Sequence, residues 1–268
     1  MTATTKTERR RPARGRKLII SALVVGGLLV AADFGLAAVG EYQVAQKMRE
    51  KFGLSEDPSV RINGFPFITQ AIGGDYRDIE ISATGVPVRD QLRDLEIRAN
   101  LKHTRIGLSD LLAGNTRDAR IDQVRGSVKI KANDLSRLVN QITPFTDLAI
   151  DPDKRTKVTD GQAADPTIAA VRLSGKTNVA GRDLRITAYG TVSLVNGQVV
   201  IGVNDVELDD MALDGLEAVL GVVREALSVT IDPGALPFTV TPTAVRVETG
   251  AFTVEGAIND IMLDEGGN

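Results

Sequence analysis

The chain has 268 residues, enough for one large domain or two small ones, with 43% hydrophobic residues, 25% charged residues and a net charge of −3. It contains no cysteine, which excludes disulfides, thiolate zinc sites and a cysteine nucleophile. With no Trp and 4% aromatics, its apolar mass is Val, Ile, Leu and Ala, which suits flexible aliphatic ligands better than stacking on bases or sugars.

The charge is unevenly placed. Lys6, Arg9, Arg10, Arg11, Arg14, Arg16 and Lys17 stand against Glu8 in residues 1–17, and the rest of the chain carries the acidic excess. An acidic body argues against nucleic acid as a partner, because phosphate binding needs a basic face. The basic tail directly precedes an apolar run and is better read as a topology signal. Leu18 to Ala32 is uncharged, and after Asp33 the run continues apolar to Gly40. Residues 18–40 are long enough to cross a membrane as a helix. The basic flank places residues 1–17 in the cytoplasm and the body, residues 41–268, outside it. Asp33 sits toward the outer end of the span, where it is expected to reach headgroups or water. A cleaved signal peptide is the alternative, with Ala37-Ala38-Val39-Gly40 offering small residues at a cut. Glu41 to Phe52 continues as a helix, with Tyr42, Ala45, Met48 and Phe52 at helical spacing and Gly53 as its stop.

Pro58 to Asn63 is extended and leads into Gly64-Phe65-Pro66-Phe67-Ile68-Thr69-Gln70, ahead of a Gly73-Gly74 turn. Pro66 fixes its own φ and pushes Phe65 out of the helical region, so the segment is expected to be extended, apolar and bent at a set point. Ile79, Ile81 and Ala83 alternate with polar residues as in a half-buried strand, and Leu95, Ile97, Ala99 and Leu101 do the same. Ser109 to Ala113 reads as a short helix capped by Ser109 and ended by Gly114. Val124, Gly126, Val128 and Ile130 give another strand. Asn133 or Asp134 then caps a helix through Ile142 with the stripe Leu135, Leu138, Val139, Ile142. Residues 145–166 show little periodicity and read as a connecting loop, with room for one short strand at Leu148–Ile150.

Asn196-Gly197 predicts a two-residue hairpin in which Leu194 meets Val199, Val192 meets Ile201 and Gly190 meets Val203. Past Asn204-Asp205 the apolar residues change parity, so a bulge is expected there. Thr249-Gly250 predicts a second hairpin, with Val247 opposite Phe252 and Val245 opposite Val254. Between them a helix over 212–227 carries the stripe Leu213, Leu216, Leu220, Val223 and Leu227, with Asp209 and Asp210 at its positive end. Leu236-Pro237-Phe238 echoes Phe65-Pro66-Phe67, which suggests a loose internal repeat.

No series of βαβ units appears, so the expected class is α+β: a curved, rolled antiparallel sheet wrapping one or two helices behind an N-terminal anchor. Glycines inside strands, at 126, 190, 202 and 256, permit tight curling. If the rolled sheet and the 213–227 stripe close incompletely, an aliphatic slot remains for acyl chains; if they close fully, it is ordinary core.

The Gly64–Gln70 run, placed just after an anchor, resembles the GFPF-[ILV]-TQ signature of LmeA-like phospholipid-binding proteins, exported actinobacterial envelope proteins linked to lipomannan elongation. The Asp134-Leu135 helix start, Leu236-Pro237-Phe238 and the final Val-rich hairpin extend the resemblance over nearly the whole chain. It implies a tubular lipid-binding-like body, phospholipid as ligand and a role in lipoglycan maturation. The lipid-contacting candidates are then Phe65, Pro66, Phe67, Ile68, Leu213, Leu216, Leu220, Val223, Leu227 and Phe238, with no cofactor, metal or catalytic residue.

Two other classes stay open: an enzyme of envelope glycolipid metabolism and a structural scaffold. His103, the single histidine, shares the strand face of Leu101 by parity and is expected to be structural or partly exposed. No G-x-S-x-G elbow accompanies it. The acids Asp205, Glu207, Asp209, Asp210 and Asp151, Asp153, Asp160 lack calcium-loop spacing and read as solvated charge.

Overall fold

The computed structural model describes residues 13–88, 92–115, 118–140, 145–155, 165–179, 182–208, 221, 224, 225, 227–231 and 241–263. Ala13–Phe52 form one helix of 40 residues, α1, about 60 Å long. Gly53, at φ 61°, ends it in the left-handed conformation. There follow β1 (Ser59–Asn63), α2 (Phe67–Gly73), β2 (Asp75–Val88), β3 (Leu92–Arg105), α3 (Leu108–Ala113), β4 (Ala119–Lys131) and α4 (Ala132–Val139). The second half holds β5 (Phe145–Pro152), β6 (Ile168–Val179), β7 (Arg182–Val195), β8 (Gln198–Leu208), β9 (Thr230–Ile231), β10 (Thr241–Glu248) and β11 (Ala251–Leu263). The strands form two antiparallel sheets, ordered β1-β2-β3-β4-β11-β10 and β5-β6-β7-β8-β9. The class is α+β, with one sheet curled strongly into a half-barrel.

Both hairpins have the register that their turn dipeptides predict. Asn196 and Gly197 take φ of 52° and 79°, and Leu194, Val192 and Gly190 face Val199, Ile201 and Val203. Tyr189 then faces Asp205, which leaves Asn204 as the extra residue of a bulge. The bulge keeps one face apolar beyond it, pairing Ala188 with Val206 and Ile186 with Leu208. Val247 faces Phe252 and Val245 faces Val254 across Thr249-Gly250. This last hairpin joins the first sheet, β11 lying beside β4, so the chain does not divide into two consecutive halves. Its turn also ties the two sheets. The Gly250 N–H donates to the Ile150 carbonyl at 2.7 Å, and the Gly250 carbonyl accepts from the Ala132 N–H at 2.9 Å.

Several local expectations are corrected. Residues 145–152 are a full strand; Asp147, at φ 55°, and a register shift between Thr146 and Ala149 break the alternation that would have revealed it. Helix α3 opens at Leu108 after Gly107, without a side-chain cap from Ser109. Helix α4 opens at Ala132, so Asp134 lies inside its first turn and accepts from Arg137 at 2.8 Å. Leu135 and Val139 of its stripe are buried, while the side chain of Leu138, and Ile142, lie outside the described residues. Of the helix expected over 212–227, Gly221, Arg224, Glu225 and Leu227 are helical; Leu213, Leu216, Leu220 and Val223 lie outside the described residues, as does Phe238.

The core forms two clusters. One packs Ile150, Leu173, Ile186, Val192 and Ile201 of the second sheet against Ile130, Phe252 and Val254 of the first, with Leu135, Val139 and Leu227 from helices. The other packs Ala37 and Ala45 of α1 and Phe67 and Ala71 of α2 onto Val60, Ile62, Tyr76, Ile79, Leu101, Ile121 and Val124. The C-terminal half of α1 therefore packs against the body.

Candidate functional site

Helix α1 changes character at Asp33. From Lys17 to Ala32 every side chain is exposed, and the apolar ones include Leu18, Ile19, Leu23, Leu28 and Leu29. From Asp33 one face is buried: Asp33, Ala37, Gly40 and Ala45, at helical spacing. Small residues on that face let α2 approach closely; a Cβ on Gly40 would stand 3.5 Å from the Phe67 ring.

Asp33 does not reach headgroups or water. It is 7% exposed, and its two oxygens accept the backbone N–H groups of Phe67 at 2.8 Å and Ile68 at 2.9 Å. The reason is local need. Helix α2 has Pro66 at its N-cap and no side-chain cap of its own, so its first amides would be unsatisfied. A carboxylate from α1 supplies the acceptors and sits favourably at the positive helix end. Eight residues on, along the same face, Glu41 accepts the Ile62 N–H of edge strand β1 at 2.7 Å. Both acids of α1's packed face thus bind backbone donors of the body. The signal in the sequence is two acids eight apart on an apolar helix, with Ala37 and Gly40 between them.

The Gly64–Gln70 run is not extended throughout. Pro66 is extended, but Phe67 opens α2, which Gly74 closes in the left-handed conformation at φ 63°. The motif's polar residues hold this turn together. Thr69 Oγ1 donates to the Pro66 carbonyl at 2.8 Å. Gln70, 3% exposed, donates from Nε2 to the Gly64 carbonyl at 2.8 Å and accepts the Arg77 N–H at 3.0 Å. Gly64 takes φ 106°, and a Cβ there would press on the Gln70 amide at 3.0 Å, which explains the glycine. The four candidates of this run separate. Phe67 is core, 6.4 Å from the Tyr76 ring, with Pro66 beside it at the cap. Phe65 and Ile68 face outward, Phe65 stacking on Phe34 of α1 with centroids 6.0 Å apart. Leu227 is buried in the larger core cluster, away from this end.

A groove of about 790 Å³ crosses the other face of the first sheet, and charged side chains stand among its apolar ones, Ile81 and Ala257. Arg61, Arg98, Arg125, Glu80, Glu255, Ser82 and Ser127 line it above a floor of Ala99, Gly126 and Gly256. An acyl chain laid there would strip water from guanidinium and carboxylate groups without replacing their hydrogen bonds. On the same face Asp78 joins three strands, accepting from Lys102 at 2.9 Å, Asn100 at 2.6 Å and Asn63 at 3.4 Å. Burial raises its pKa, but the bonds from Lys102, Asn100 and Asn63 and the Lys102 charge outweigh that and hold it below the ordinary value. A depressed carboxylate pKa contributes stability that is present above the unfolded-state value and lost as pH falls through the folded-state one. Urea midpoints should therefore fall as pH drops through the carboxylate range, and fall less steeply in Asp78→Asn. Equal slopes would remove Asp78 from the account of acid sensitivity.

His103 is not on the face of Leu101. At φ 49° it reverses the alternation, so Thr104 is buried and His103 is exposed, with Nδ1 3.3 Å from Asp75. Asp205 and Glu207 pair with Arg155, and Asp151 pairs with Arg172. Asp160, Asp209 and Asp210 lie outside the described residues, among which no group of three metal-ligating side chains occurs.

The α+β body is carried on a helix that is long and apolar enough to cross a membrane, and apolar surface is exposed where the two meet. The family model described as LmeA-like phospholipid-binding matches residues 31–257, and the chain belongs to that family. The match takes in Asp33, the Gly64–Gln70 run and both sheets. No curated protein and no solved structure matches the chain.

Proposed function

We propose that this chain is a single-pass membrane protein whose body, residues 41–268, lies outside the cytoplasm. There it binds phospholipid or glycolipid acyl chains and supports lipoglycan (lipomannan) maturation in the cell envelope, without catalysing a reaction itself. The observation that carries the lipid-binding part is the family match over residues 31–257. The basic flank before Leu18 supports the orientation. Retention of α1 is supported by its packing: a cut at Ala37–Gly40 would remove Asp33 from the α2 amides and uncover Phe67. The acyl chains are assigned to an aliphatic interior, with Leu213, Leu216, Leu220, Val223, Leu227 and Phe238 as the proposed contacts, because the charged side chains along the groove are chemically unsuited to them.

The absence of native cysteine makes the topology directly testable. Val195 is exposed at the tip of the β7–β8 hairpin. A Val195→Cys variant in intact spheroplasts should react with a membrane-impermeant maleimide, and Thr4→Cys only after lysis. The reverse pattern would put the body in the cytoplasm and defeat the reading. Cells lacking the chain should make shortened lipoglycan; lipoglycan of normal length would remove the maturation role.

A further inference from the structure

We infer that α2 and Phe65 form a wedge that rests in the outer headgroup–acyl boundary of the same bilayer that α1 crosses. This rests on α1 being a retained anchor.

The first argument is length. A 30 Å hydrocarbon layer takes about 20 helical residues, so a span that starts at Leu18, after Lys17, ends near Ala37. Asp33 already touches α2, about one helical turn inside that limit. The body's contact with α1 thus begins within the bilayer's outer edge, and whatever surrounds that contact lies at the boundary.

The second argument is composition. Residues 62–74 carry no charge, between Arg61 and Asp75. Helix α2 is apolar on both sides: Phe67 and Ala71 face the body, while Ile68 and Ile72 face outward, 46% and 83% exposed. Two adjacent-turn isoleucines bared on so short a helix, whose polar Thr69 and Gln70 are turned to its own backbone, do not suit a water-facing surface. Phe65, 52% exposed, and Phe34, 63% exposed, stack beside it, which makes the outward patch continuous with the bare apolar surface of α1.

The third argument is polar satisfaction. A segment at the edge of hydrocarbon must meet its own hydrogen-bonding needs. Here Asp33 takes the first α2 amides, Thr69 and Gln70 bond the turn's own backbone, and Asn63 donates to Asp78. Asp33 is then the device that seats the wedge at a fixed depth on the anchor.

The chain has no Trp, so single tryptophans report cleanly. Full-length Ile72→Trp, Leu28→Trp and Val195→Trp, reconstituted in vesicles containing phospholipid brominated along the acyl chain, set the test. Ile72 is so exposed that the larger ring displaces nothing, and Ile68→Trp serves as a second reporter on the same face. Expected are strong quenching at residue 28, quenching by about half with a blue-shifted emission at residues 72 and 68, and none at residue 195. If residues 72 and 68 behave like 195 while 28 is quenched, the anchor stands and the wedge is overturned. If 28 also escapes quenching, the anchor fails and the wedge with it.

Discussion

Asp33→Leu is expected to loosen the body from its anchor, although it makes the span more hydrophobic. The carboxylate of Asp33 accepts two amides at 2.8 and 2.9 Å, and Pro66 at the N-cap of α2 supplies no side-chain bond. Leucine would leave two donors unsatisfied at a packed contact, at a cost of about 2–4 kcal/mol. Asp33→Asn keeps one accepting oxygen and should lose roughly half as much. Hydrogen exchange in detergent or nanodiscs reads this locally: the Phe67 and Ile68 amides should lose protection in Asp33→Leu, together with those of α2, while β6–β8 keep theirs. A view based on hydropathy predicts the opposite, a better-seated helix. Unchanged protection at Phe67 and Ile68 would show that the carboxylate does not hold α2.

Gly190→Val is expected to be among the most damaging single changes in the second sheet. A Cβ at Gly190 would overlap the Gly202 carbonyl oxygen and crowd the Val203 Cα, both backbone of the neighbouring strand and unable to yield. The crowding arises at the Asn204 bulge, where β8 twists toward β7. Relieving it would shift the ladder and cost about 3 kcal/mol. Gly202→Ala makes the contrast. Its nearest neighbour would be Thr191 Oγ1 at 4.0 Å, so stability should change by less than about 1 kcal/mol. Chemical denaturation of the two variants decides the point: similar midpoints for both would mean that the close approach at Gly190 is not a constraint.

That pair of glycines shows where the sequence is readable. Both sit in a strand pattern and both suggest curling, but only the three-dimensional ladder separates the one that touches backbone from the one that faces open space. The hairpins were legible because a turn dipeptide fixes register by counting. Asn196-Gly197 therefore predicted every pair down to Gly190 with Val203, and the parity change at Asn204 located the bulge. Strand β5 is legible only at Leu148–Ile150 because Asp147, at positive φ, interrupts the alternation on which such reading depends, and His103 misleads for the same reason. The return of β10–β11 to the first sheet was hidden because sequence alone does not say which edge a finished hairpin joins.

The site was legible in part. The Gly64–Gln70 run stands out in the sequence as an extended, bent segment, but not as a helix start, since the extended backbone of Pro66 serves equally in a bent loop and just before a helix. The two acids of α1 that hold the body are not legible as such: Asp33, which caps α2, reads as a costly charge near the end of a span, and Glu41, which accepts from Ile62 of β1, reads as part of the helix continuing from the anchor. Neither reading can see a backbone donor that lies about 20–35 residues further along the chain.

Native mass spectrometry of the full chain, purified and delipidated in detergent, tests the central claim most directly. The account predicts phospholipid retained at a fixed number of molecules per chain, resistant to delipidation because its acyl chains lie inside the body. A chain that is recovered free of lipid, and that takes up none when phospholipid is returned, would contradict it.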